Sequence, residues 1–240
     1  MVHRATLALA LAAVPAACGD NARPAIEPAI DAAPDAAPDA PLMPDLTLLG
    51  AQMDGTIGLT AMAFAPDACE VIEGCVGAPG PRRLLVFDAV TANVGTAAVV
   101  IGAPPPPGVT DDRFAWSPCH LHHHVIGYAV YELRDASGVV VGGHKQAFCL
   151  QDSQQIRPGW PSLGYVCSDQ GLSAGWADVY GRDLSCQWID VTDVAPGTYT
   201  LAVRVNPTGG FPDRDLSNNE WTHAGIVIGV AEFPRPNHTR

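Results

Sequence analysis

Tyr199-Thr200-Leu201-Ala202-Val203-Arg204-Val205 is a short β-rich run between two turn signals, Pro196-Gly197 before it and Pro207 to Gly210 after it. Four more runs share this character: Arg83 to Val90, Ala97 to Ile101, His124 to Leu133 and Ala224 to Val230. Pro104 to Gly108 and Gly142-Gly143 supply further breaks, and no long segment of helical period intervenes. The pattern predicts a mostly β fold: a sandwich-like sheet core with long functional loops and few short helices.

The chain has 240 residues, 48% of them apolar, which suits one domain with a sizeable core plus appendages. A formal charge of -12 argues against nucleic acid, which needs a basic face, and favours cationic partners. Met1 to Arg4 followed by apolar residues up to Ala17 has the form of a signal peptide over 1–17. Ala16-Ala17-Cys18-Gly19 is similar to the lipobox of bacterial lipoproteins, with Pro15 where Leu is usual; simple cleavage and release is the alternative. Residues 18–44, rich in Ala, Pro and Asp, read as a disordered tether. A folded domain over 45–232 and a short tail at 233–240 complete the expected organisation, that of an exported chain of the bacterial envelope or surface.

Six cysteines follow Cys18: Cys69, Cys75, Cys119, Cys149, Cys167 and Cys186. An even number in an exported chain reads as a disulfide framework, here with 15 possible connectivities. Cys69 and Cys75 are near enough in sequence to close a small loop, and Cys119 borders a histidine cluster.

That cluster, Cys119-His120-Leu121-His122-His123-His124, holds four of the eight histidines. On a strand His120, His122 and His124 share one face and His123 points the other way. A flat strand would spread the three over roughly 13 Å, far beyond what one ion bridges with bonds of about 2 Å, so the chain must bend or bulge there. An all-nitrogen site favours copper, zinc or nickel over magnesium or calcium, and the affinity order favours copper; spacing alone does not separate copper from zinc.

Lys145 is the only lysine beside twelve arginines. Unlike arginine, lysine can lose its proton when buried and act as an amine nucleophile, which makes Lys145 a candidate for covalent chemistry.

Three segments then carry a resemblance. Trp116 to His124, Gly143-His144-Lys145 through Leu150, and Asp178-Val179-Tyr180-Gly181 through Cys186-Gln187-Trp188-Ile189-Asp190-Val191-Thr192-Asp193-Val194 are similar to the catalytic domain of lysyl oxidases, in matching order over about Asp45 to Val230. The resemblance implies copper on His120, His122 and His124, and a lysine tyrosylquinone made from Lys145 and Tyr180. It implies oxidation of a primary amine, a lysine side chain or small amine, by dioxygen to an aldehyde, with release of ammonia and hydrogen peroxide. Asp178, two residues before Tyr180, is the candidate base. The chain departs from the animal enzymes in its reduced tryptophan content before the histidines, in His123 where an aromatic residue is usual, and in Trp176 where a cysteine is usual. The resemblance suggests the pairs Cys69–Cys75 and Cys119–Cys167, leaving Cys149 with Cys186.

Asp213-Arg214-Asp215-Leu216-Ser217-Asn218-Asn219 suits a hard cation such as calcium, although Asp and Asn also serve polar turns. The resemblance implies a calcium site from Asp213, Asp215, Asn218 and Asn219, completed by Asp45 and the carbonyl of Leu46, tying the two ends of the domain together. A non-catalytic copper-binding lipoprotein and a purely structural β module are the competing readings; neither needs Lys145 and Tyr180 beside three histidines.

Overall fold

The computed structural model describes residues 41–144 and 149–230; the expected signal peptide, most of the tether, Lys145 and the expected tail lie outside them. In chain order the elements are β1 (Leu46–Leu48), α1 (Gly50–Met53), β2 (Gly58–Phe64), α2 (Cys69–Ile72), β3 (Gly80–Val86), β4 (Ala89–Asn93), β5 (Val99–Gly102), β6 (Phe114–Ser117) and β7 (His122–Val125). There follow β8 (Ala129–Asp135), β9 (Gly138–His144), β10 (Gln154–Gln155), β11 (Gln170–Leu172), β12 (Trp176–Tyr180), β13 (Trp188–Asp190), β14 (Gly197–Val205) and β15 (Glu220–Ile228). The mostly β expectation holds, with the strands divided among several small antiparallel sheets rather than two large ones.

The largest are two four-stranded sheets, in the orders β15-β14-β8-β9 and β1-β4-β12-β10. Along β14 the side chains of Tyr199, Leu201, Val203 and Val205 turn inward, and along β8 those of Ala129, Tyr131 and Leu133 do the same. This two-residue alternation makes one face of the sheet a wall of the core. The opposite face carries an ion-pair network in which Arg134 and Arg204 share Glu220. β4 is buried along its whole length because β1 and β12 flank it and apolar groups cover both faces. β1 rests against β14 and β15, bringing the two sheets around one apolar cluster that includes Leu46, Phe87, Phe114, Tyr131 and Leu201. Each of these large side chains contributes about 1.5–3 kcal/mol by leaving water.

The three disulfides are Cys69–Cys119, Cys75–Cys186 and Cys149–Cys167, so each expected pairing is corrected. Cys69 opens α2 and Cys75 follows Gly74, which turns the chain at φ +75°; the two thiols therefore face different neighbours. Cys69 meets the turn before β7, while Cys75 meets the entry to β13, where the Trp188 indole donates to the Cys75 carbonyl at 3.1 Å. Cys149 finds Cys167 because residues 150–171 fold back on themselves, with the Gly171 amide donating to the Leu150 carbonyl at 3.0 Å.

Asn93 fastens the domain's first segment to the sheets. Fully buried, it accepts from the amides of Asp45 and Gly95, both at 3.1 Å, and donates to the carbonyls of Ala97 (2.8 Å) and Leu172 (3.0 Å). Gly95 is required beside it, since a Cβ there would lie 2.4 Å from the Met43 carbonyl oxygen. Asn93→Ala would strand four backbone groups in the interior at about 1–3 kcal/mol apiece before relaxation. We expect the folded domain to lose at least about 3 kcal/mol in urea titrations, with the m-value unchanged.

Candidate metal centre and its surroundings

β6 and β7 form a hairpin in which Ser117 faces His122 and Ala115 faces His124. His122 and His124 lie two residues apart on β7 and share a face. His123 is on the other face, buried, its ring 4.9 Å from that of Trp116 and its Nε2 2.8 Å from the Val109 carbonyl. His120 precedes the strand. It joins the other two because Leu121 adopts φ +57°, a left-handed conformation that curls the chain back instead of extending it. The bend demanded by the sequence is thus a turn of one residue, closed by the Leu121 amide donating to the Ser117 carbonyl at 2.9 Å.

The result is three imidazoles with ring centroids 5.0, 5.5 and 5.8 Å apart, each offering one nitrogen, these nitrogens lying within 4.8 Å of one another. Three nitrogens bound to one ion at about 2.1 Å lie about 3.4–3.6 Å apart in tetrahedral or trigonal arrangement, so a contraction of at most about 1.4 Å in the widest pair completes the set. Nitrogen donors alone fit copper or zinc and disfavour calcium and magnesium. Nδ1 of His122 is 3.0 Å from the His120 carbonyl oxygen, which leaves Nε2 as its ligand atom. Burial, reinforced by the neighbouring His120, holds the His122 pKa below its ordinary value, so the ring is neutral as a ligand must be.

Beside His120 stands a group that sequence reasoning missed. Glu73 Oε2 lies 3.0 Å from His120 Nδ1, and Oε1 accepts a hydrogen bond from the Ser117 hydroxyl. Only knowledge that Cys69 bonds to Cys119 would have brought Glu73 next to the histidines; nothing in local sequence does.

Tyr180 ends β12, buried, with its hydroxyl donating to the Cys149 carbonyl. Asp178 precedes it on the same face of the strand, also buried, and accepts from the Ser153 hydroxyl at 3.3 Å. Burial, followed by the charge of Asp178, raises the Tyr180 phenol well above its ordinary pKa. Tyr128 responds in the same way to burial and then to Asp178. Tyr128 follows His124 by four residues in the chain, so the segment leaving the histidine hairpin carries a phenol that feels the same Asp178 charge as Tyr180. A third phenol, Tyr131, donates to Gln187 at 2.9 Å. The structure therefore gathers the histidines into one set and Tyr180 with Asp178 into another, while Lys145 falls outside the described residues.

In a separate cluster Asp45, Leu46, Asp213, Asn218 and Asn219 make hydrogen bonds among themselves. Asp213 accepts from the Leu46 amide (3.2 Å) and the Asn219 side chain (2.8 Å), and Asp45 accepts from Asn218 (2.9 Å) and pairs with Arg214. The side-chain oxygens of Asn218 and Asn219 are buried without a hydrogen-bond partner. Asp215 instead caps the turn that follows, accepting from the Ser217 amide at 2.9 Å and hydroxyl at 2.6 Å.

The family model described as lysyl oxidase matches residues 63–226. The chain is 34% identical over 189 residues to lysyl oxidase homolog 2 of Rattus norvegicus, covering 73% of this chain and 23% of that protein. It is 33% identical over 191 residues to protein-lysine 6-oxidase of Gallus gallus, covering 74% and 44%, and equally identical to that of Sus scrofa, covering 74% of each. The chain thus spans less than half the length of the rat and chicken relatives it matches. The matched region contains the histidine hairpin, Tyr180 and every disulfide, and on that footing the chain belongs to the lysyl oxidase family.

Proposed function

We propose that this chain is a copper- and quinone-dependent oxidase of primary amines, either lysine side chains of proteins or small amines. The convergence of His120, His122 and His124 carries the reading, because three imidazoles on one small face have no packing role that requires all of them. These three would hold copper, and Lys145 with Tyr180 would form lysine tyrosylquinone. When bound, copper supplies the redox chemistry with dioxygen that builds the quinone, and the quinone supplies the electron sink for converting an amine, dioxygen and water to an aldehyde, ammonia and hydrogen peroxide.

The remaining roles belong to the chain's own residues. Tyr180 is anchored to the Cys149 carbonyl, four residues after Lys145 in the chain and so at most about 14 Å from it by covalent reach, which supports their joining. The Asp178 carboxylate would take the proton from the carbon next to the substrate nitrogen, and its burial excludes water from that transfer. An exported chain, lipid-anchored at Cys18 or released, accords with three disulfides. A structural calcium at Asp45, the Leu46 carbonyl, Asp213, Asp215, Asn218 and Asn219 is supported by the two buried, unpartnered Asn oxygens; Asp215 contributes only if it leaves its cap.

Because Lys145 is the only lysine, its fate is easily read. Copper-loaded, aerated protein should yield a tryptic peptide joining the Lys145 and Tyr180 segments, react with phenylhydrazine, and release peroxide on addition of amines. Tyr180→Phe should abolish all three, and ready acylation of Lys145 in the copper-loaded protein would defeat the reading. Asp178→Asn should retain the joined peptide while amine turnover falls about 10²–10⁴-fold; unchanged turnover would remove Asp178 from the chemistry. Calcium at about a hundredfold its Kd should add about 2.7 kcal/mol to stability, or about 5–10 °C in Tm. EDTA should reverse the shift and Asp213→Ala abolish it, whereas a Tm indifferent to calcium would make the cluster a self-sufficient polar clasp.

A further inference from the structure

We infer that Glu73 is a positioning residue for the metal, holding the His120 ring through Nδ1 so that Nε2 is presented to the ion. The inference rests on the copper reading above and adds a residue to it. Both side chains are largely withdrawn from water, His120 being 14% and Glu73 10% exposed, and His120 Nδ1 and Glu73 Oε2, 3.0 Å apart, are both buried with no hydrogen-bond partner, so each is the group nearest to answer the other. The second carboxylate oxygen accepts from the Ser117 hydroxyl, whose own oxygen accepts from the His120 amide at 2.9 Å. His120 is therefore held at its ring by the carboxylate contact and at its backbone by the Ser117 hydroxyl, which is itself bonded to the same carboxylate. An imidazole whose Nδ1 donates to a carboxylate has a fixed tautomer and a more electron-rich Nε2, the form that binds a metal best.

The segment that carries Glu73 is pinned on both sides. Cys69 is bonded to Cys119, the residue before His120, and Cys75 is bonded to Cys186. Between them Glu70 accepts from the Ser185 hydroxyl at 2.7 Å, and the Glu73 amide donates to the Cys69 carbonyl at 2.8 Å. A glutamate on a free loop would have to be ordered by the metal site. This one is fixed covalently by a bridge on either side, and the bridge that places it also places its histidine.

The test uses the full oxidised chain with Cu(II) alone as probe, its affinity read by competition with a chelator. Glu73→Ala should weaken binding by about 10–100-fold. Glu73→Gln, which keeps an oxygen acceptor of the same reach but no charge, should lie between it and the native chain. In zinc-loaded protein, ¹⁵N-resolved NMR should show a slowly exchanging, downfield Nδ1 proton on His120 that Glu73→Ala removes and Glu73→Gln retains, a signature that a merely structural role would not move. His124→Ala separates the two claims. If it weakens binding while both Glu73 variants bind within about twofold of native, the role of Glu73 is overturned and the metal site stands. If His124→Ala also binds as native does, the copper reading falls, and this inference with it. Should Glu73→Ala fail to fold, Glu73→Gln decides alone, and affinity within about twofold of native would overturn the inference.

Discussion

The left-handed turn at Leu121 is the constraint on which the metal centre depends. At φ +57° an ordinary side chain costs about 1–2 kcal/mol relative to right-handed or extended backbone, and the Leu121 side chain recovers little of it, since it is 74% exposed. The conformation is held from outside, by the β6–β7 ladder after it, the Ser117 carbonyl beneath it and the Cys69–Cys119 bridge before it. Extended backbone at this one residue would carry His120 away from His122 and His124. The three ligands of the proposed copper site are thus one strand face plus one turn, and the strain resides in a residue that takes no part in binding.

The Cys186-to-Val194 run, the most distinctive stretch of the chain, is a frame. Cys186 closes a disulfide, Gln187 bridges the Tyr131 hydroxyl and the Phe87 carbonyl, and Trp188 packs on Phe64 with ring centroids 6.0 Å apart. Asp190 gathers Arg82, the Gly77 amide and Thr192. Burial alone would raise the Asp190 pKa; hydrogen bonds from Thr192, Gly77 and Arg82 outweigh it and keep the group below the usual carboxylate range. Its contribution to stability is therefore present above the ordinary carboxylate pKa and is lost as pH falls through the depressed one. Through Gln187 this frame supports Tyr131 in the same buried neighbourhood as Tyr180 and Asp178, which explains why so long a motif contains none of the proposed catalytic groups.

Strands and histidines were legible because they depend on local pattern. The Tyr199–Val205 run alternates inward and outward as its composition predicts, and the i, i+2 spacing of His122 and His124 fixes a shared face. The need for a bend at His120 followed from arithmetic, but its form did not, because leucine is a poor predictor of positive φ. Cysteine pairing was illegible for a different reason. It is decided by which turns meet in space, and α2 and Gly74 send Cys69 and Cys75 apart despite their closeness in sequence. Glu73 was hidden behind that same error, since only the Cys69–Cys119 bridge brings it to His120. The division into several small sheets likewise arises from long-range register, such as β12 pairing with β4, on which short-range signals are silent.

The surroundings of Tyr180 set a condition on any chemistry there. Burial and the nearby Asp178 carboxylate both favour the neutral phenol, and the adjoining Tyr128 and Tyr131 are held neutral by burial too. A phenol is much harder to oxidise than a phenolate, so these surroundings disfavour oxidation of the ring. Only added positive charge reverses that sign, because a cation favours the ionised form in proportion to its nearness. On the proposed copper reading that cation would be held by His120, His122 and His124, on the hairpin that precedes Tyr128, a residue subject to the same Asp178 charge as Tyr180. On that proposal tyrosine reactivity would be conditional on metal loading, and the carboxylate that suppresses ionisation of Tyr180 would remain beside it as the proposed base.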